Sequence, residues 1–307
     1  MLIDKRANVA AAGLSGSGEA VMAISSSPLY GARWIGGSVW IVALLLISAL
    51  AFMLAYPVMQ SLPFFTEVPI ENWSSLDWRP GDGFFGFGTA MAGSLLLVLA
   101  ALPLSLTLGW LISVQLADSR RRWVNPLSVA LLEVWVALPS VIIGVWAMMQ
   151  LVPMVRDVAG SGYSLITAAI GLTIFITPTC TLLFYRSYRS HLQHYQGLET
   201  SFEMSVLTRS ELFIKSQPSA VVGTINYIFC RVFGETMIVL MLSGNSLQIP
   251  GNPFEGMRSL TATIALEMAY ATGMHQTSLF ALATIAMLLI FFVLLAQYKR
   301  LSNAHRD

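Results

Sequence analysis

Arg231 and Glu235 stand four residues apart in the run Arg231-Val232-Phe233-Gly234-Glu235-Thr236, with apolar sequence from Val221 to Cys230 before it and from Met237 to Leu242 after it. Charges in hydrocarbon are costly and persist where they pair or line a polar cavity. Residues at i and i+4 share a helix face, so the spacing predicts a sideways ion pair within one helix. Thr224 and Tyr227 extend the stripe at spacings of three and four, and Thr236 adjoins it. The expected chemistry is one wall of a passage for a charged solute; the alternative is an ion pair that only holds helices together. Glu133, six residues before Pro139, is a further acid in an apolar run. It is expected either to partner Arg231 or line the path, or to be a protonated carboxyl hydrogen-bonded within the bundle.

Apolar helices must carry these groups. Of the 307 residues, 56% are hydrophobic and 11% charged, with mean hydropathy +0.70. A soluble domain carries about 25% charged residues, so the chain is expected to be an all-α, polytopic membrane protein. Six segments approach the roughly 20 residues that cross a bilayer: Trp34–Tyr56, Gly88–Leu116, Leu127–Val152, Tyr163–Tyr185, Val221–Ser243 and Thr277–Tyr298. Pro103, Pro139 and Pro178 predict bends in the second, third and fourth. Thirteen of 17 basic residues fall on one side: Lys5, Arg6 and Arg33, Arg120–Arg122, Arg186, Arg189, Arg209 and Lys215, then Lys299, Arg300 and Arg306. The positive-inside rule puts that side, with the tails 1–33 and 299–307, in the cytoplasm. The first span is expected to serve as the insertion signal, since the tail before it holds no apolar run of signal-peptide length.

The cytoplasmic loop 186–220 is too long for a connection and reads as helix, turn, helix. Leu198, Phe202 and Val206 recur every four residues, and Thr208-Arg209-Ser210-Glu211 matches a capping box before Leu212-Phe213-Ile214. Pro218 can open the helix of the fifth span. The exposed apolar face is expected to dock on a cytoplasmic protein, because Glu199, Glu203 and Glu211 would be repelled by anionic headgroups. On the opposite side, 57–85 carries Trp73, Trp78 and four acids, and 244–276 holds an apolar stretch around 260–270 expected to form a re-entrant or interfacial helix.

Several chemistries find no support. Gly16-Ser17-Gly18-Glu19 lacks the lysine of a phosphate-cradling loop, and neither GxSxG nor HExxH occurs. His191, His194, His275 and His305 are expected in solvated loops or a tail, without metal. Cys180 and Cys230, both in apolar runs, are expected as packed free thiols. A net charge of +1 argues against nucleic acid as partner, and no cofactor is expected in this chain.

Three motifs together resemble the permease subunits of bacterial phosphate-import ABC transporters. Arg231–Met237 is similar to that family's RALGETM, Leu260–Met268 to LTATIALEM, and Glu133–Gly144 to ELLAGIPSVVYG. The loop 186–220 is similar to the superfamily's coupling loop. Glu199-Thr200-Ser201 stands in its EAA position, Ser205 in place of its glycine, and Ile214–Pro218 at its closing motif. The resemblance implies an importer permease fold with coupling helices between spans four and five, multi-pass in the inner membrane, doing no covalent chemistry. It implies a homologous second permease subunit, a cytoplasmic ATPase dimer and a periplasmic phosphate-binding protein, besides the lipid around it. Arg231, Glu235, Thr236, Tyr227, Thr224 and Glu133 would line the phosphate path. Glu199, Ser201, Glu203, Ser205, Thr208, Glu211 and Pro218 would couple to the ATPase. A permease for sulfate, molybdate or phosphonate, an ATP-independent carrier or channel, and a sensory or scaffold member stay open.

Overall fold

Hydropathy dictates long helices here, and proline and glycine dictate where they break. The computed structural model describes residues 32–118, 124–194 and 205–304. The first helix is α1 (Ala32–Glu67), followed by α2 (Ile70–Trp73), two-residue strands β1 (Trp78–Arg79) and β2 (Phe84–Phe85), and α3 (Gly88–Asp118). Then come α4 (Val124–Ala137), α5 (Ser140–Ala159), α6 (Leu165–His194), α7 (Val206–Ser216), α8 (Pro218–Phe233), α9 (Met237–Leu242), α10 (Leu260–Glu267) and α11 (Met274–Ala304). The chain divides into two compact units at Tyr56 and Pro57. Within the first, the described residues 32–56 form one helical stretch, of which 39–56 is apolar around the helix, a pattern that suits a membrane span.

The second unit, from Pro57 onward, holds everything that follows. Among the described residues, five helices are long and apolar enough to cross a membrane, including α3, α5, α6 and α11. Two of the six expected spans are not single helices. The third is divided at Leu138-Pro139 into α4 and α5, because proline lacks the amide that would continue the ladder and keeps the preceding residue out of the helical region. The fifth is divided at Gly234-Glu235-Thr236 into α8, of 16 residues, and α9, of six. Helix also continues where loop was expected: residues 57–67 extend α1, and 186–194 extend α6.

Close backbone approach sets the packing. Helices α3 and α6 pack along their lengths. A Cβ on Gly109 of α3 would lie 2.7 Å from the Cys180 Cβ of α6, so glycine is what allows the two axes to come together. Gly93, also on α3, faces the carbonyl of Arg258, and beside it Ser94 Oγ accepts the Leu260 amide at 2.8 Å. Leu172 and Ile176 of α6, Ile228 of α8 and Ile238 and Leu242 of α9 fill the centre, all fully buried.

After α2, β1 and β2 pair antiparallel, Trp78 against Phe85. Gly83 turns the hairpin at φ +79°, a left-handed conformation that favours glycine. Asn72 staples it, its side chain bonding both Gly83 and Phe85 backbone. Phe64, Phe85, Phe87, Trp73 and Trp78 form an aromatic cluster beneath. Within 260–270, α10 is buried at Leu260, Ala262, Thr263 and Glu267 and packs against α3 and α11, while Tyr270 beyond it is exposed.

Candidate functional site

The break in the fifth expected span carries the site. Gly234 costs about 1 kcal/mol against alanine in a helix interior, and α8 ends on it: the Gly234 amide reaches the Cys230 carbonyl at 3.0 Å. Two residues later Thr236 stands at the N-cap position of α9, which starts at Met237. Non-helical backbone at membrane depth is tolerated where protein buries it or it lines a wet cavity. Here Thr261 of α10 donates its hydroxyl to the Glu235 carbonyl at 3.2 Å, satisfying an acceptor that the break leaves open.

Because the helix stops between them, Arg231 and Glu235 do not form the expected pair. Arg231 lies on the exposed face of α8, one turn beyond Tyr227, which is exposed too. Its guanidinium carbon sits 4.9 Å from the ring centre of Phe175, a buried residue of α6. Glu235 is turned inward, 7% exposed, and its carboxylate has no hydrogen-bond or ion-pair partner among the described residues. Thr224 is also buried, its hydroxyl returned to the Ala220 carbonyl at 3.0 Å. The predicted polar stripe is therefore two faces: Tyr227 and Arg231 outward, Thr224 and Glu235 inward. Thr236 is half-buried beside the break.

Glu133 does not approach Arg231 as a partner and is not enclosed within the bundle. It accepts from Arg186 of α6 at 2.8 Å, and both side chains are more than half exposed. The pair ties α4 to the end of α6, with the small energy of an open ion pair.

The coupling segment is partly visible. Glu199, Ser201 and Glu203, with Leu198 and Phe202, lie outside the described residues, as do Arg120–Arg122. The cap of α7 is Ser205, whose Oγ accepts the Thr208 amide at 3.2 Å; Thr208 is not the cap that the Thr208–Glu211 pattern predicted. Glu211 instead pairs with Lys215 at 2.6 Å, and that ammonium holds its carboxyl below the usual range by hydrogen bond and charge. Phe213 anchors α7, fully buried against Trp110, Tyr188 and His191. His191 is therefore buried, contrary to the expected solvated loop. Arg209 reaches Asp118 at the end of α3, 2.8 Å away. A polar cavity of about 630 Å³ opens beside this helix, lined by Ser187, Ser190, His191 and Gln217. Pro218 opens α8 at its first position, as its fixed φ favours.

One cluster escaped the sequence. Glu267, at the end of α10 with its side chain 6% exposed, accepts from Arg258 at 2.7 Å, from His275 at 2.9 Å and from Trp78 Nε1 at 2.9 Å. His275 is thus a partner of a buried acid and not a solvated loop residue. Glu267 sits in the apolar run Leu260–Met268, and a lone acid there was the same signal that marked Glu133. Among the described residues, no three acids, histidines or cysteines are placed to hold a metal ion. Both cysteines are free, Cys180 buried and Cys230 half-buried.

No protein-family model matches the chain. The chain is similar to the probable ABC transporter permease protein YqgH of Bacillus subtilis, 26% identical over 244 residues, covering 75% of this chain and 77% of that protein. It is similar to the phosphate transport system permease protein PstC of Pasteurella multocida, 25% identical with 79% and 84% covered, and to that of Mesorhizobium japonicum, 26% identical with 73% and 76% covered. The fold is similar to a chain of the MetNI methionine ABC transporter in inward-facing conformations, at a TM-score of 0.54 and 14% identity, covering 69% of this chain and 92% of the other.

Proposed function

We propose that this chain, a membrane permease subunit of the ABC-importer type with no catalytic chemistry of its own, forms part of the translocation path for inorganic phosphate. The observation that carries the reading is Arg231: a guanidinium on an outward face of α8, resting on an aromatic ring and paired with no carboxylate among the described residues. Lipid does not accommodate such a face, so a polar passage or a companion subunit must cover it. The face fits a homologous permease subunit across a shared path, with Tyr227, Arg231 and Thr236 toward the cargo. A planar guanidinium offers two parallel donors to a pair of phosphate oxygens. Unpaired, it attracts an anion without first breaking an ion pair. The relatives named as phosphate permeases support phosphate over other oxyanions.

The same reading puts both chain ends and α7 on the cytoplasmic side and the hairpin at 78–85 on the external side. There a phosphate-binding protein delivers the anion, while α7 and the residues before it engage an ATPase dimer that drives alternation of the path.

Arg231→Gln is expected to lower phosphate uptake by at least about tenfold, the weight of a lost charged hydrogen bond, with membrane abundance unchanged. Arg231→Lys keeps the charge but loses the fork and is expected to fall between the two. Phosphate uptake per inserted chain decides: normal uptake by Arg231→Gln removes the site from the path.

A further inference from the structure

The segment that follows the break is clasped at both ends by one small element. Ahead of α9, the Glu235 carbonyl takes the Thr261 hydroxyl at 3.2 Å; behind it, the Asn245 carbonyl takes Arg258 Nε at 3.0 Å. Arg258 also gives a guanidinium N–H to Glu267, so the carboxylate at one end of α10 fixes the arginine that holds the far end of α9. The other end of α10 is pinned by the Ser259 cap and by the bond from the Leu260 amide to Ser94. Glu267 completes its set with His275 of α11 and with Trp78 of the external hairpin.

We infer that Glu267 is a positioning residue for the translocation path: it holds α9 in register below the break and ties that register, through Trp78, to the external hairpin. One carboxylate gathers all three donors: without it Arg258 would carry an uncompensated charge at a largely buried site, and the indole and imidazole would have to share what acceptor remained. An object that moves the hairpin pulls on Trp78, then on Glu267, then on α10, whose Thr261 sits on the Glu235 carbonyl. The inference rests on the proposed path only in its consequence for transport; the clasp itself concerns the fold.

The test takes the full chain in detergent and follows amide hydrogen exchange, with phosphate uptake measured in cells alongside. In Glu267→Gln, the amides of 237–246 are expected to exchange about tenfold faster, as for a local opening that loses one charged hydrogen bond. Those in the centres of α3 and α6 are expected to keep the parent rate. Trp78→Phe keeps the ring and loses the donor, and is expected to act in the same direction by about threefold. Maximal uptake per inserted Glu267→Gln chain should fall about tenfold while the half-saturating phosphate concentration stays within about twofold of the parent. Thr261→Val added to Glu267→Gln should lower uptake no further, since both act through one clasp. Unchanged exchange at 237–246, or a rise shared equally by α3 and α6, overturns the inference whatever the cargo. Faster exchange at 237–246 in chains whose parent carries no phosphate upholds the clasp and rejects the phosphate path.

Discussion

Arg231 rests on the face of Phe175, and that contact sets how the guanidinium meets an anion. A cation over a ring gains about 0.5–2 kcal/mol, more as water is excluded. The ring therefore gives the charge a place to return to when the anion leaves, and a transport site must release as readily as it binds. Phe175→Leu removes the resting place and keeps an apolar plug in α6. The expected result is a half-saturating phosphate concentration about two- to fivefold lower, together with a slower maximal rate, because the anion is left as the only partner for the charge. Kinetics of phosphate uptake by membrane-inserted Phe175→Leu check both directions; a faster rate with weaker half-saturation contradicts the role given to the ring. The residues at fault in a purely sequential reading are instructive here. Arg231 and Glu235 were legible as charges that needed a purpose, but the i,i+4 rule presumes an unbroken helix. The partner actually met by Arg231 lies on another helix, at a distance no spacing encodes.

At the scale of elements, what ends a helix matters more than what fills it. The hydropathy of Val221–Ser243 is continuous across Gly234-Glu235-Thr236, so a window on apolarity merges α8 and α9. The glycine and the two polar residues were visible, yet only the Thr261 hydroxyl from α10 makes an open turn affordable there. Pro139 did announce its bend, because proline's missing amide acts locally and needs no partner to be read. The coupling helix illustrates a near miss of another kind. Thr208 and Glu211 have capping-box spacing, but the actual cap is three residues earlier, which places Val206 and Leu207 inside the helix and Phe213 over Trp110 and Tyr188. Ser205→Ala is therefore expected to destabilise α7 by about 1 kcal/mol, seen as faster proteolysis or amide exchange of 206–216, whereas Thr208→Ala leaves the helix start in place. An equal effect of the two substitutions counts against the assignment of the cap.

For the whole molecule, the all-α class, the clustering of basic residues and most span positions were legible because hydrophobic length is a one-dimensional property. The carboxylate cluster was not: Trp78 and Glu267 stand 189 residues apart, and only the packed bundle brings the β1–β2 hairpin onto α10. On the proposed reading, the outward guanidinium on α8 and the amphipathic helix α7 are the surfaces that partner subunits would cover. Mild-detergent purification is expected to bring down an ATPase and a second, homologous permease chain, and reporters fused after Asp307 or within 78–85 are expected to read cytoplasmic and external. Recovery of the chain alone, with transport intact, points to an ATP-independent carrier.

The two thiols have a use that has nothing to do with transport itself. Cys180 is sealed between α3 and α6, while Cys230 is partly open and lies one position before Arg231. Of the two sulfurs, Cys230 is thus the more accessible, one turn of α8 before the break. A fluorophore or spin label placed there reports on the neighbourhood of the guanidinium without any engineered cysteine.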